Sequence, residues 1–212
     1  MADTNKTDSN SMVQRRNEEG TVEPEVAAFV NEFLQYRLNQ NGVQWRAPTS
    51  IQEPDTGRTI ASKVGMALRS LADEFSSQFK EQFVDICDKL EISENTLKPT
   101  IEGVANELFN EGIKWARIVA LFVFSSELAM HCKKNNWPEL INTVAHSLSS
   151  YISEKLLPWI NDHGGWEGLI VFNEGTDSDQ AKTNRWPSVK NLLCLGISAI
   201  GALTIGAVLT KS

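Results

Sequence analysis

The sequence predicts an all-α domain, and three observations carry that prediction. Apolar residues recur at three-and-four spacing in successive stretches, no convincing pair of alternating strands occurs, and residues 118–124 form an unbroken apolar run inside an otherwise helical pattern. A helix that is apolar all round needs amphipathic neighbours on every side, so a bundle around one buried helix is the expected architecture. No longer internal period repeats.

Residues 1–23 are rich in Asn, Asp, Ser, Thr and Glu with almost nothing to bury, and read as a disordered tail. Pro24 suits a first helical turn, and Val26, Phe29, Val30, Phe33, Leu34 and Leu38 follow at helical spacing until Gly42 ends the helix. Residues 46–58, with Pro48, Pro54 and Gly57, read as a solvated loop. Ala61, Val64, Leu68, Leu71, Phe75 and Phe79 make one narrow stripe of a second helix, and Phe83, Ile86, Cys87 and Leu90 continue the pattern into a third. Glu91 to Lys98 reads as a polar connection, Pro99 as the start of a helix bearing Ile101, Val104, Leu108 and Phe109, and Gly112 as its end. Ile113 to Cys132 is the buried central helix. Pro138 opens an amphipathic helix running from Leu140 to Leu157 that Pro158 interrupts, Gly164-Gly165 is a turn, and Trp166 to Phe172 a short helix. The body is therefore bounded as 24–174, followed by a polar linker over 175–190.

Beyond the linker, Leu192 to Thr210 contains 19 residues without a charge, between Lys190 and Lys211. As a helix this run is roughly 28 Å long, close to the hydrocarbon thickness of a bilayer, so 191–210 is read as a carboxyl-terminal transmembrane anchor. Arg185 and Lys190 precede it, which leaves the helical body in the cytosol. Its glycines make it weakly apolar, so folding back into an apolar groove of its own domain stays open. Ser198, Ala202 and Gly206 stand four apart, the spacing of a close helix contact, which keeps a homo- or hetero-dimer open as well.

With 20 basic against 27 acidic side chains the net charge is −7, and no basic stripe occurs, which argues against nucleic acid as a partner. Three cysteines without close spacing, Cys87, Cys132 and Cys194, indicate neither a disulfide framework nor a metal site, and read as reduced cytosolic thiols. His131, His146 and His163 are scattered and read as structural. No nucleophile elbow, phosphate loop or zinc-protease helix occurs, so no enzymatic activity, cofactor or metal is expected. Two features remain. Arg117 lies between Trp115 and the apolar run, where an unpaired charge would be costly. Its partner is either internal or a carboxylate on a ligand, which a guanidinium grips with two hydrogen bonds. The second is Asp73-Glu74, set within the stripe Val64, Leu68, Leu71, Phe75.

Asn106 to Phe122, with Trp115, Arg117 and the apolar residues after them, resembles the first homology motif of the B-cell lymphoma two (Bcl-two) family of apoptosis regulators. Trp159-Ile160 with Gly164-Gly165-Trp166-Glu167-Gly168 resembles the second motif, and Ala67 to Phe75 the third, or death, motif. Phe29 to Trp45, including Tyr36-Arg37-Leu38 and Gly42, resembles the fourth. The resemblance implies a Bcl-two-like bundle of amphipathic helices around a central apolar helical hairpin. It also implies a surface groove that binds the death-motif (BH-three) helix of pro-apoptotic relatives, a helix-in-groove interaction that is itself a worked case of that recognition mode.

Carried to this sequence, the arginine that meets the ligand's aspartate is Arg117. The apolar floor and walls would include Phe75, Phe79, Phe83, Ile86, Val104, Leu108, Ala120 and Phe124, with Glu107 and Glu111 as an acidic rim. Val64, Leu68, Leu71, Asp73 and Phe75 would be the chain's own death motif, while Trp115 and Trp166 pack the helices together. Three places depart from the family pattern. Lys114 replaces an asparagine, removing an amide from the groove, and Ala116 replaces a glycine, adding a methyl where a ligand backbone passes. Ser125-Ser126 also replaces a glycine pair. The fourth motif and the Gly-Gly-Trp-Glu-Gly segment resemble the survival branch, which sequesters death-motif helices at the outer mitochondrial membrane or the endoplasmic reticulum. The alternatives are a pore-forming member that oligomerises in the outer mitochondrial membrane and, with no positive sign in the residues, a membrane-tethered enzyme.

Overall fold

Every regular element among the described residues is helical; the computed structural model describes residues 22–47, 58–175 and 186. The tail up to Thr21, most of the predicted loop over 46–58, the 191–210 segment with Cys194, and the linker apart from Gly175 and Trp186 lie outside them.

Helix α1 (Pro24–Gln40) buries the predicted stripe, Val26 to Leu38, and it also buries Arg37. It ends as the sequence demands: Gly42 takes φ +74°, a conformation that costs a side chain dearly, and this lets the Val43 N–H reach back to the Leu38 carbonyl at 2.9 Å.

Helix α2 (Arg58–Lys89) is 32 residues long and continuous, where the sequence suggested two helices. The apolar stripe runs unbroken through Phe79, Phe83, Ile86 and Cys87, all buried, so nothing in it requires a break. Helix α3 (Glu94–Phe109) likewise begins five residues before Pro99. Ser93 starts it. The Ser93 hydroxyl accepts the Thr96 N–H at 3.3 Å and the Thr96 hydroxyl accepts the Ser93 N–H at 2.8 Å, a capping box with threonine in the place usually held by a glutamate. Leu97 is fully buried, so the predicted polar connection carries a core residue.

Helix α4 (Trp115–Lys134) is the predicted central helix, with everything from Ala116 to Ala129 buried. It packs against α1, α2, α3 and α5 (Leu140–Tyr151), the enclosure that an apolar helix requires. Among the described helices α4 is long and apolar enough to cross a membrane, yet it lies inside the domain. The chain reaches α5 through a turn in which the Leu140 N–H meets the Trp137 carbonyl at 3.1 Å, so Pro138 precedes the helix by two residues. A π turn (Ile152–Leu156) then joins α5 to α6 (Leu157–Asp162). Pro158 therefore falls in the first turn of α6, where a missing N–H is tolerated, and does not break a continuous helix. Helix α7 (Glu167–Glu174) closes the body against α2.

Candidate functional site

The buried surface of α2 is aromatic. Phe75 lies with its ring centroid 4.8 Å from that of Phe79 and 5.6 Å from that of Phe83, and Phe83 reaches Phe124 of α4 at 5.9 Å. Ile86 from α2, Val104 and Leu108 from α3, and Ala120 from α4 join the same core cluster. The structure thus brings the predicted floor and wall residues into one cluster, with none of these eight more than 7% exposed. They form a buried seam of side chains shared by α2, α3 and α4. A cleft of about 610 Å³ between α2 and α7, bordered by Met66, Ala67, Ile170 and Val171, shares none of the predicted residues.

Arg117 sits at the end of this seam, on the first turn of α4, with its side chain 1% exposed. Its partner here is internal. Nη2 donates to Glu111 Oε2 at 2.6 Å and Nη1 to the Gly112 carbonyl at 2.8 Å, while Nε–H finds no acceptor among the described residues. Both acceptors come from the short connection between α3 and α4. Gly112 there takes φ +103°, a backbone conformation open to glycine. Glu111 is the opposite of Arg117 in burial, 71% exposed, so the predicted rim acid is on the rim but already engaged. Glu107 is half-buried and accepts from Asn110 Nδ2 at 3.4 Å. Lys114 is exposed and Ala116 buried at the start of α4.

The residues that the resemblance assigns to the chain's own death motif face the core. Val64, Leu68, Leu71 and Phe75 are buried, and Asp73 is held by α1, accepting from Arg37 Nη1 at 3.0 Å and from the Tyr36 hydroxyl at 3.3 Å. Arg37 Nη2 also donates to Ser76 Oγ at 3.0 Å and to Glu127 Oε1 of α4 at 3.2 Å. Burial pushes the Glu127 carboxyl up, against the opposing pull of Lys80 and Arg37. This network was not singled out from the sequence, although it left a signal: Arg37 falls on the apolar face of α1 and Glu127 inside the apolar helix α4, and two opposite charges at buried positions ask for each other.

The second motif meets the first through its aromatic residues. Trp115 lies 5.4 Å from Trp159 and 6.3 Å from Trp166, and Trp166 packs 4.9 Å from Phe29 of α1. Trp115 and Trp166 thus pack the helices together, as the resemblance implied. Trp186 is the other residue that sequence reasoning passed over. It is 2% exposed, its ring 5.0 Å from Phe75 and 6.4 Å from Phe172, and its Nε1–H donates to Glu74 Oε1 at 3.0 Å. A lone tryptophan in a polar linker was its signal.

The remaining titratable groups do not assemble a reactive centre among the described residues. Burial pushes the Cys87 thiol up, and that of Cys132 up to about 11, so both stay protonated and unreactive at neutral pH. His131 Nδ1 lies 3.2 Å from Asp88, His163 stacks on Trp159 with ring centroids 4.0 Å apart, and His146 is exposed.

Comparison with known proteins agrees with this geometry. The model of the Bcl-2 family, described as apoptosis regulator proteins, matches residues 68–166. The chain is 30% identical to the apoptosis regulator Bcl-2 of Canis lupus familiaris over 223 residues, covering 85% of this chain and 93% of that one. It is 31% identical to Bcl-2-like protein 1 of Gallus gallus over 71% of its own length, and spans 66% of that relative. Among solved structures, Trichoplax adhaerens trBcl-2L2 bound to trBak BH3 superposes with a TM-score of 0.62 at 35% identity, over 69% of this chain and 95% of that one.

Proposed function

Because the chain belongs to the Bcl-2 family of apoptosis regulators, we propose that it is a survival-type member that sequesters the death-motif helices of pro-apoptotic relatives and so prevents permeabilisation of the outer mitochondrial membrane. The observation that carries this reading is Arg117: a buried guanidinium at the end of a seam of apolar side chains, whose carboxylate partner is a surface residue. A ligand helix would place apolar side chains at about i, i+3 or i+4, and i+7 between α2, α3 and α4, and its aspartate on Arg117. The similarity to a trBcl-2L2 structure bound to a BH3 segment supports the same mode. Since Phe75, Phe79 and Phe83 are covered, binding requires the seam to open, so a ligand selects or induces a minor conformation. The 191–210 segment serves as the membrane anchor, leaving the helical body in the cytosol.

The test is titration of the full chain, held in detergent, with a synthetic death-motif peptide. Arg117→Ala and an Asp→Ala peptide should each weaken binding by roughly 10- to 100-fold, the size expected for a charge-assisted hydrogen-bonded pair. Unchanged affinity in both cases overturns the assignment. In liposomes of mitochondrial lipid composition the peptide-bound chain should release no dye; release would favour the pore-forming alternative.

A further inference from the structure

Arg37 and Arg117 are both buried and both paired within the chain, but their partners differ in kind. Arg37 is shared between Asp73 and Glu127, which are fixed on two different helices, and Glu127 is as buried as Arg37 itself. The acid on Arg117 comes instead from a connection of five residues, on a side chain that is mostly in water. A carboxylate in that position loses little by swinging outward, whereas the guanidinium cannot follow it. Gly112 next to it already occupies a backbone region closed to most side chains.

We infer that Glu111 is a built-in placeholder for a ligand's acid: it occupies Arg117 in the unbound chain and must be displaced when a helix binds. This rests on the groove reading above and adds a specificity residue to it. The ligand's carboxylate exchanges with Glu111 at Nη2, the Gly112 carbonyl keeps Nη1, and the unused Nε–H offers a further donor to the newcomer. Affinity is then a difference between two carboxylates competing for one guanidinium, so an acidic ligand gains less than it would from an unoccupied arginine. A ligand lacking the acid leaves the internal pair intact and is indifferent to Glu111.

The experiment uses the full chain in detergent, as wild type, Glu111→Gln and Glu107→Gln, against one death-motif peptide and its Asp→Asn version. Glu111→Gln should tighten the Asp peptide by about fivefold to tenfold and leave the Asn peptide within about twofold; Glu107→Gln, which removes a rim charge not bonded to Arg117, should have the smaller effect. Guanidinium NMR of the unbound protein gives a reading without any peptide: the Arg117 N–H signals should show restricted rotation that Glu111→Gln releases. No tightening, equal tightening of both peptides, or an equal effect of Glu107→Gln overturns the placeholder, as does an unrestricted Arg117. If the pair is seen by NMR and no peptide binds any version, the groove reading fails and the placeholder falls with it.

Discussion

At Gly168 the backbone leaves no room for a methyl group: a Cβ there would stand 2.4 Å from the His163 carbonyl oxygen and 2.9 Å from the Trp115 ring. The carbonyl belongs to the turn before α7 and cannot rotate away as a side chain could, so Gly168→Ala should cost about 1–3 kcal/mol in chemical denaturation. The last glycine of Gly-Gly-Trp-Glu-Gly is thus the seat of Trp115, and through it a packing link between two motifs far apart in the chain. Glu127 makes a different prediction. Its carboxyl is raised by burial, so below the unfolded value of about 4.3 it is neutral in both states and has no effect on stability. As pH climbs from there through the raised folded value, the unfolded chain releases its proton first, and stability is lost over that window. Glu127→Gln removes this term, so the stability of wild type minus that of the variant should fall between about pH 4 and the raised value, then level off.

Among the elements, α3 has the clearest local cause. Ser93→Ala removes the hydroxyl that accepts from Thr96 and should cost about 1 kcal/mol, with faster hydrogen exchange over 94–98 as the local signature. That cap also shows what the residues disclosed and what they hid. Stripes such as Val26 to Leu38 declare a helix because burial demands one face, and the run 118–124 declares its own enclosure. Helix ends are written in weaker terms. Pro99 reads as a start because proline favours first turns, but the Ser93–Thr96 pair starts the helix five residues earlier, at Glu94. Pro158 reads as a stop, but the π turn before it removes the conflict. For the site, the seam residues were legible from the resemblance and Arg117 from its misfit among apolar neighbours. The partners of Arg37 were not, because which acid a buried base meets depends on how helices 36 to 90 residues apart in sequence are set side by side, and Glu111, only six residues before Arg117, was read as a rim acid and not as its partner. Arg37→Met, which leaves Glu127 without its base, should lower stability by about 3–5 kcal/mol in urea titration.

For the whole molecule, the residues that the resemblance assigns to a death motif are the same surface that makes the fold: Leu68, Leu71 and Phe75 are core, and Asp73 is tied to α1. Presenting that motif to a partner means dismantling the α2 contacts, whereas receiving one asks only for the seam to part. A truncation after Lys190 checks the anchor directly: a fluorescent fusion of the full chain should label intracellular membranes, and the shortened one the cytosol.

The burial of Trp186 sets the length of the leash. Counted from the end of α7, the chain has 17 residues before Leu192, enough to reach about 60 Å when extended. Pinned at Trp186, it has five, or about 20 Å. An anchor beginning at Leu192 would therefore hold the Phe75 side of the body within one helix-diameter or two of the lipid headgroups, so that a helix arriving along the membrane surface meets this face before one arriving from bulk solution does.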